Sequence, residues 1–296
     1  MKVGLIDADG GTFPNLCLMK LSAYHKRRGD HVEWWNGLLK YDRVYMSKVF
    51  DDTYTQETPF VIQADEVIRG GTGYSLRGTL PDEIEHIYPD YSLYNYKNAL
   101  GFLTRGCPRG CPFCIVKEKE GGRSVQVGEL SEFVKDQNEI VLLDPNIAAS
   151  DECERLFEEL IATKKRIDFS QGIDVRLLTD KGADQLNRMR IECIHFAWDN
   201  YEFKTYEKLK EVRKLLDYGS RRLCVYVLTN FNTTIEQDLE RIYKLRELDY
   251  DPYVMIYNKP SAPRKLIKIQ RWVNSKPIWG TVERFEDYKG GQNGTI

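Results

Sequence analysis

The chain has 296 residues, 42% of them hydrophobic and 30% charged, an ordinary globular composition with room for one large domain or two of common size. Forty-three basic against 45 acidic residues leave a formal charge of −2, which disfavours a surface-wide footprint for nucleic acid. No apolar run approaches the ~20 residues of a membrane span, and the start, Met1-Lys2-Val3-Gly4-Leu5-Ile6-Asp7, has no long apolar leader, so the expected location is cytoplasmic.

Lys2 to Ile6 reads as a buried strand that ends in Asp7-Ala8-Asp9-Gly10-Gly11. A helix is expected from about Asn15 to Arg28, then strands at His31 to Trp35, Arg43 to Met46 and Val67 to Arg69. The last of these runs into Gly70-Gly71-Thr72-Gly73-Tyr74, which reads as a tight turn before it reads as a phosphate contact. The pattern predicts a small doubly wound, Rossmann-like domain over residues 1–95.

From Ala99 onward, apolar runs alternate with helical patterns. Strands are expected at Ala99 to Leu103, Glu139 to Leu143, Ile167 to Ser170, Cys193 to Trp198, Leu223 to Leu228 and Tyr253 to Tyr257. Helices are expected at Leu130 to Gln137, Asp151 to Lys164, Thr179 to Met189 and Phe203 to Leu216, with Gly219 marking the end of the last, and from Thr233 on. Asp151 with Glu154, and Thr233 with Glu236, stand at capping-box spacing. Six such β/α units predict an α/β fold in which residues 96–260 form a partial (β/α)6 barrel of TIM type. Polar residues gather just after the strands, at Asp144-Pro145-Asn146, Gln171 to Asp174, Asp199-Asn200, Thr229-Asn230 and Asn258-Lys259. Residues 261–296 read as a helix and a tail. Arg264, Lys265, Lys268, Arg271 and Lys276 give that helix a solvated face, with one aromatic of Trp272 and Trp279 docked on the core. The tail from Lys289 to Ile296 is Gly-rich and expected to fray.

Seven cysteines divide into two kinds. Cys17, Cys153, Cys193 and Cys224 fall singly in apolar patterns and read as core packing. Cys107, Cys111 and Cys114 lie in one loop, Gly-Cys-Pro-Arg-Gly-Cys-Pro-Phe-Cys, just after the strand at Ala99. Three thiolates can hold three irons of a [4Fe–4S] cube and leave the fourth iron open to a small molecule, whereas a closed electron carrier normally uses four cysteines. Structural zinc wants four closed ligands; no second Cys-x-x-Cys is present, and His86 and His195 are distant in sequence. A zinc site or an inert loop is the bland alternative.

The spacing of Cys107, Cys111 and Cys114, with Phe113 before the last cysteine and a (β/α)6 array behind it, resembles the radical S-adenosylmethionine (SAM) superfamily over about Lys97 to Lys259. The resemblance implies that SAM chelates the open iron, is split reductively to methionine and a 5′-deoxyadenosyl radical, and that this radical takes a hydrogen atom from a substrate. It implies Phe113 near the adenine. It places Asp144 and Asn146 where many members have a Gly-Gly-Glu stretch that meets the SAM amino group; the glycines are absent here. It places Arg176 opposite the SAM carboxylate, Asp199 and Asn200 near the ribose or amino group, and Asn258 at the last strand end. The first domain resembles the cobalamin-binding domain of class B members, but Asp7-Ala8-Asp9-Gly10-Gly11 lacks the cobalt-binding histidine that those domains often carry; the whole chain resembles an uncharacterised group of such proteins from bacteria and their phages. Cobalamin is therefore a possible cofactor but not the favoured one. The implied partners are a flavodoxin- or ferredoxin-type reductant and an unknown substrate. The other expectations weighed are cobalamin-dependent methyl transfer, a non-enzymatic module stapled by metal, and a nucleic-acid modifier, the last disfavoured because no second cysteine cluster is visible.

Overall fold

A computed structural model describes residues 1–11, 13–56 and 61–290; the expected fraying of the tail beyond Gly290 concerns residues outside this set. The chain divides into two compact units, Met1–Leu103 with Val127–Ile140, and Thr104–Gln126 with Val141–Ile296.

In the first unit, strands β1 (Lys2–Asp7), β2 (His31–Trp34), β3 (Tyr41–Ser47) and β4 (Ala64–Gly70) form a sheet of order β2-β1-β3-β4. Every neighbouring pair is parallel. The helix Leu16–Arg27 crosses from β1 to β2, with Asn15 as its cap accepting from the Leu18 N–H. Its Leu18 and Leu21 pack with Val3, Leu5, Tyr45 and Ile84 in one buried cluster. The order reverses between β1 and β3, the switch point where doubly wound sheets bind ligands at the strands' carboxyl ends. There the Ala8 N–H donates to the Ser47 carbonyl at 2.9 Å, and the Asn15 amide donates to the Ser47 hydroxyl at 2.8 Å. His25 is buried between Asp30 and Tyr45 in the helix's last turn, and His31 opens β2. Neither histidine stands at a carboxyl end. The Gly-rich stretch after β4 is a tight turn, as expected: a Cβ on Gly71, at φ +97°, would meet the Lys48 carbonyl oxygen at 2.3 Å.

The remaining strands are β5 (Ala99–Gly101), β6 (Thr104–Arg105), β7 (Val125–Gln126), β8 (Glu139–Leu142), β9 (Arg166–Phe169), β10 (Arg190–Ala197), β11 (Leu223–Thr229) and β12 (Asp251–Ile256). Their main sheet has the order β12-β11-β10-β9-β8-β5, each strand beside the next in sequence, and β6 and β7 form a separate antiparallel ladder. The β9–β10, β10–β11 and β11–β12 ladders are parallel. This is the open, partial barrel of six β/α units. Ile194, Phe196, Trp198, Val225, Val227 and Val254 are buried. Trp198 stacks on Tyr206 of the helix Phe203–Leu215 at 5.7 Å, so this side of the sheet lies under the helices. The basic helix Arg264–Asn274 docks through a fully buried Trp272, as expected.

Local details differ from the sequence reading. The first expected strand stops at Gly101, and Thr104–Arg105 turns into the small ladder instead. The helix expected over Leu130 to Gln137 ends at Phe133, because Val134 is extended (φ −109°, ψ 130°). Asp151 does not cap: its side chain is 92% exposed and faces Arg123, and the helix begins at Cys153. The capping box of Ile235–Glu247 uses Thr234 with Gln237, one position later than expected. Gly219 lies in ordinary β conformation at φ −74°, three residues beyond the preceding helix's cap at Leu216.

Candidate functional site

The cysteine loop is closed at its neck. Gly106 sits at φ +92°, and a Cβ there would meet the Arg123 carbonyl oxygen at 2.0 Å, so only glycine passes. The Cys107 N–H donates to the Gly121 carbonyl at 3.1 Å. Arg105 reaches both carboxylate oxygens of Glu120 at 3.1 Å. Inside the loop the Cys114 N–H donates to the Cys111 carbonyl at 3.0 Å, folding the second and third cysteines over one turn. Cys107 and Cys111 are half-buried and Cys114 is exposed.

Burial pushes the Cys111 thiol above its usual range; Asp199 and Cys114 add to this, and Arg176 opposes it. Cys111, Asp199 and Arg176 thus lie within electrostatic reach of one another although they come from three separate loops. Among the described residues, no group of three His, Cys, Asp or Glu is placed so that it could hold a metal ion, the three cysteines included. Thiolates on one zinc, each about 2.3 Å from it, would stand within about 4 Å of one another. A [4Fe–4S] cube takes one thiolate per iron and spaces its ligands more widely. Three thiols on one loop are a donor set of the right chemistry for such a cube.

The loops after the strands supply the other expected residues. Asp144, after β8, is 3% exposed and accepts from the Thr104 hydroxyl at 2.7 Å and from the Thr104 N–H. Its carboxylate pins the start of the cysteine loop. Asn146, also 3% exposed, donates its amide to the Cys107 sulfur at 3.4 Å, and its buried Oδ1 has no hydrogen-bond partner among the described residues. Of the two, Asn146 keeps the open acceptor.

After β9, Asp174 caps its own turn and holds two arginines. Arg176 bonds it through Nε at 2.7 Å and Nη2 at 3.1 Å, and Arg109, from within the cysteine motif, bonds it through Nε at 2.8 Å. The Asp174 carboxyl stands below its usual range because the bonds from Arg176 and Arg109 outweigh the upward effect of burial. After β10, burial drives the Asp199 carboxyl up to about 6, against the pull of Arg241 and Arg176. No hydrogen bond ties Asp199 to the described residues. Asn200 accepts from the Asn232 amide at 2.9 Å.

Asn258, after β12, is exposed in the left-handed region at φ +45°. No hydrogen bond joins it to the cysteine loop among the described residues. The link from that strand end is aromatic instead: Phe113 meets Phe231 edge-on at 5.5 Å, and Phe231 meets Tyr257 at 5.0 Å.

Thr104, Arg109, Phe231, Tyr257 and Arg241 were missed in the sequence, and Asp174 was read there only as one of the polar residues after a strand. Arg109 lies inside the motif and Asp174 two residues before Arg176, so their signal was adjacency. Arg241 carried a sharper one, a charge between Leu239 and Ile242 on an apolar helix face. It is fully buried, donates to the carbonyls of Trp198 and Leu228, and pairs with Asp238 at 2.6 Å. It therefore ties the ends of β10 and β11 beneath Asp199.

This fold is similar to that of solved structures of TsrM, a radical SAM methyltransferase from Kitasatospora setae. One, with cobalamin and a [4Fe–4S] cluster bound, has a TM-score of 0.63 at 13% identity over 86% of this chain and 74% of that chain. Another, with tryptophan substrate and the SAM analogue aza-SAM bound, has a TM-score of 0.63 at 14% identity over 86% and 72%. No family model matches the sequence, and no curated protein matches it. The chain has a radical SAM-type fold, and at these identities the likeness is one of fold.

Proposed function

We propose that the chain is a radical SAM enzyme holding one [4Fe–4S] cluster through Cys107, Cys111 and Cys114. The observation that carries this is the three-cysteine loop standing with Arg176 and Asp199 on the strand-end rim of a partial barrel. When bound, the reduced cluster supplies the electron that splits SAM. The chain's own residues then have separable tasks. The three thiolates leave one iron corner open. Asn146 Oδ1 is the acceptor available to an ammonium group, and Arg176 is a guanidinium available to a carboxylate. The edge-on rings of Phe113, Phe231 and Tyr257 form an apolar wall at the loop. Electron supply falls to a flavodoxin- or ferredoxin-type protein. The test is anaerobic reconstitution with iron and sulfide, then dithionite and SAM. Release of 5′-deoxyadenosine and methionine, lost in Cys107→Ala, is expected; a colourless protein that carries zinc alone would end the proposal.

Cobalamin-dependent methyl transfer is a second reading. Its support is that the likeness to the cobalamin-bound TsrM structure covers 86% of this chain, whose first unit carries a parallel sheet with a switch point between β1 and β3. His25 and His31 stand away from the strands' carboxyl ends, so such binding would not use either of them. Titration with cobalamin under argon, followed by absorbance, tests it: no tight complex removes the methyl-transfer reading and leaves the first proposal standing.

A further inference from the structure

The cluster of Arg109, Asp174 and Arg176 is more than an ion pair. Asp174 has two carboxylate oxygens and about four acceptor positions. Oδ1 takes the Arg176 Nε and the Arg176 backbone N–H, at 2.7 and 3.1 Å. Oδ2 takes the Arg176 Nη2 and the Arg109 Nε, at 3.1 and 2.8 Å. The carboxylate, whose side chain is 7% exposed, is saturated, and both guanidiniums are held by their inner edges. Their outer donors, both Nη groups of Arg109 and Nη1 of Arg176, make no bond to the described residues. Two cations share this one bonded anion, while Cys111, Glu202 and Asp199 lie within electrostatic reach of Arg176 without bonding it. Arg109 stands two residues before that cysteine, inside the motif itself.

A fixed guanidinium with open Nη donors recognises a carboxylate in fork geometry, and a second one beside it adds both charge and direction. We propose that Arg109 and Arg176 together grip the carboxylate of SAM, with Asp174 as the positioning residue that aims both. This rests on the radical SAM reading and adds the cysteine loop's own arginine to the cofactor contacts. It also couples the loop to the turn after β9: Arg109 is the charged tether between them.

The test is equilibrium binding to cluster-loaded protein, using SAM and its decarboxylated analogue, for wild type, Arg109→Gln, Arg109→Lys and Asp174→Asn. Arg109→Gln should weaken SAM about 10- to 100-fold, the scale of one lost charge-assisted bond, and leave the decarboxylated analogue unchanged. Arg109→Lys should restore part of the loss, since it keeps charge without the fork. Asp174→Asn should show the same carboxylate-selective loss, and in metal-free protein it should speed hydrogen exchange across residues 107–114. Equal loss of both ligands, or wild-type SAM affinity in Arg109→Gln, would overturn the grip while leaving the function intact. Failure of loaded wild type to bind SAM at all would take down both.

Discussion

The side-chain amide of Asn146 donates to the sulfur of Cys107 across 3.4 Å, joining the loop after β8 to the first cysteine of the motif. The pair is held in place from both sides. Asp144, two residues earlier, fixes Thr104, and Gly106 lets the chain turn directly into Cys107. The loop's position is therefore set by bonds that need no metal, which is what a preformed ligand set requires.

An N–H aimed at a ligand sulfur favours the more electron-rich state of a cluster. Such a bond, at about 0.5–1.5 kcal/mol, corresponds to roughly 20–65 mV for one electron. Asn146→Ala should accordingly lower the cluster's midpoint potential by tens of millivolts while retaining iron. A redox titration followed by electron paramagnetic resonance reads this directly, and an unchanged potential would remove the bond from any tuning role.

Asp199 gives the metal-free protein a pH signature. Its folded carboxyl titrates at about 6 against an ordinary value of 3.8, chiefly through burial. The folded state thus binds this proton more tightly than the unfolded chain does. Its contribution favours folding below about pH 4, is lost as the pH rises toward 6, and stays unfavourable above that. Asp199→Asn should raise stability at pH 7.5 by about 3 kcal/mol and converge with wild type near pH 4. Urea unfolding of both proteins at the two pH values checks it; parallel pH profiles would show that Asp199 does not titrate as described.

The sequence made the barrel legible because each of its strands is a short apolar run closed by a polar turn, and six in a row leave few topologies. The three cysteines were legible because their spacing is local. What stayed hidden depends on pairs far apart in the chain. Nothing in Asp144 alone reveals that Thr104, forty residues earlier, absorbs its carboxylate. Phe231 reads as one more aromatic until β11 brings it against Phe113. Helix starts shifted by a residue or two for a different reason. Adjacent candidates such as Thr233 and Thr234 offer nearly equal caps, and packing of the helix's apolar face selects between them.

Gly106 should tolerate no side chain. Alanine would have to adopt φ +92° and place its Cβ against the Arg123 carbonyl, so the neck must open or the neighbouring strand must move. Gly106→Ala is expected to cost about 2 kcal/mol or more and to impair iron uptake, with the far-ultraviolet dichroism near wild type. Iron and sulfide counts after reconstitution decide the matter; full loading of the variant would show that the loop reaches the same geometry by another path.

Arg241 is the buried counterpart of these surface ties. It is fully enclosed with Asp238, and its guanidinium also satisfies the carbonyls of Trp198 and Leu228. Removing it leaves the buried Asp238 carboxylate with no cation and only the Thr233 hydroxyl at 2.6 Å, and takes the guanidinium from two carbonyls, so Arg241→Met should cost about 3–5 kcal/mol. Replacing both charges, in Arg241→Met with Asp238→Leu, removes the stranded anion and should recover part of that loss, though the two carbonyls remain unpaired. Because Arg241 also draws the Asp199 carboxyl downward, the single variant should move the titration of Asp199 to still higher pH. Urea unfolding across pH 5 to 8 measures both effects together. A single variant no weaker than the double would show that Asp238 finds water or another donor once its arginine is gone.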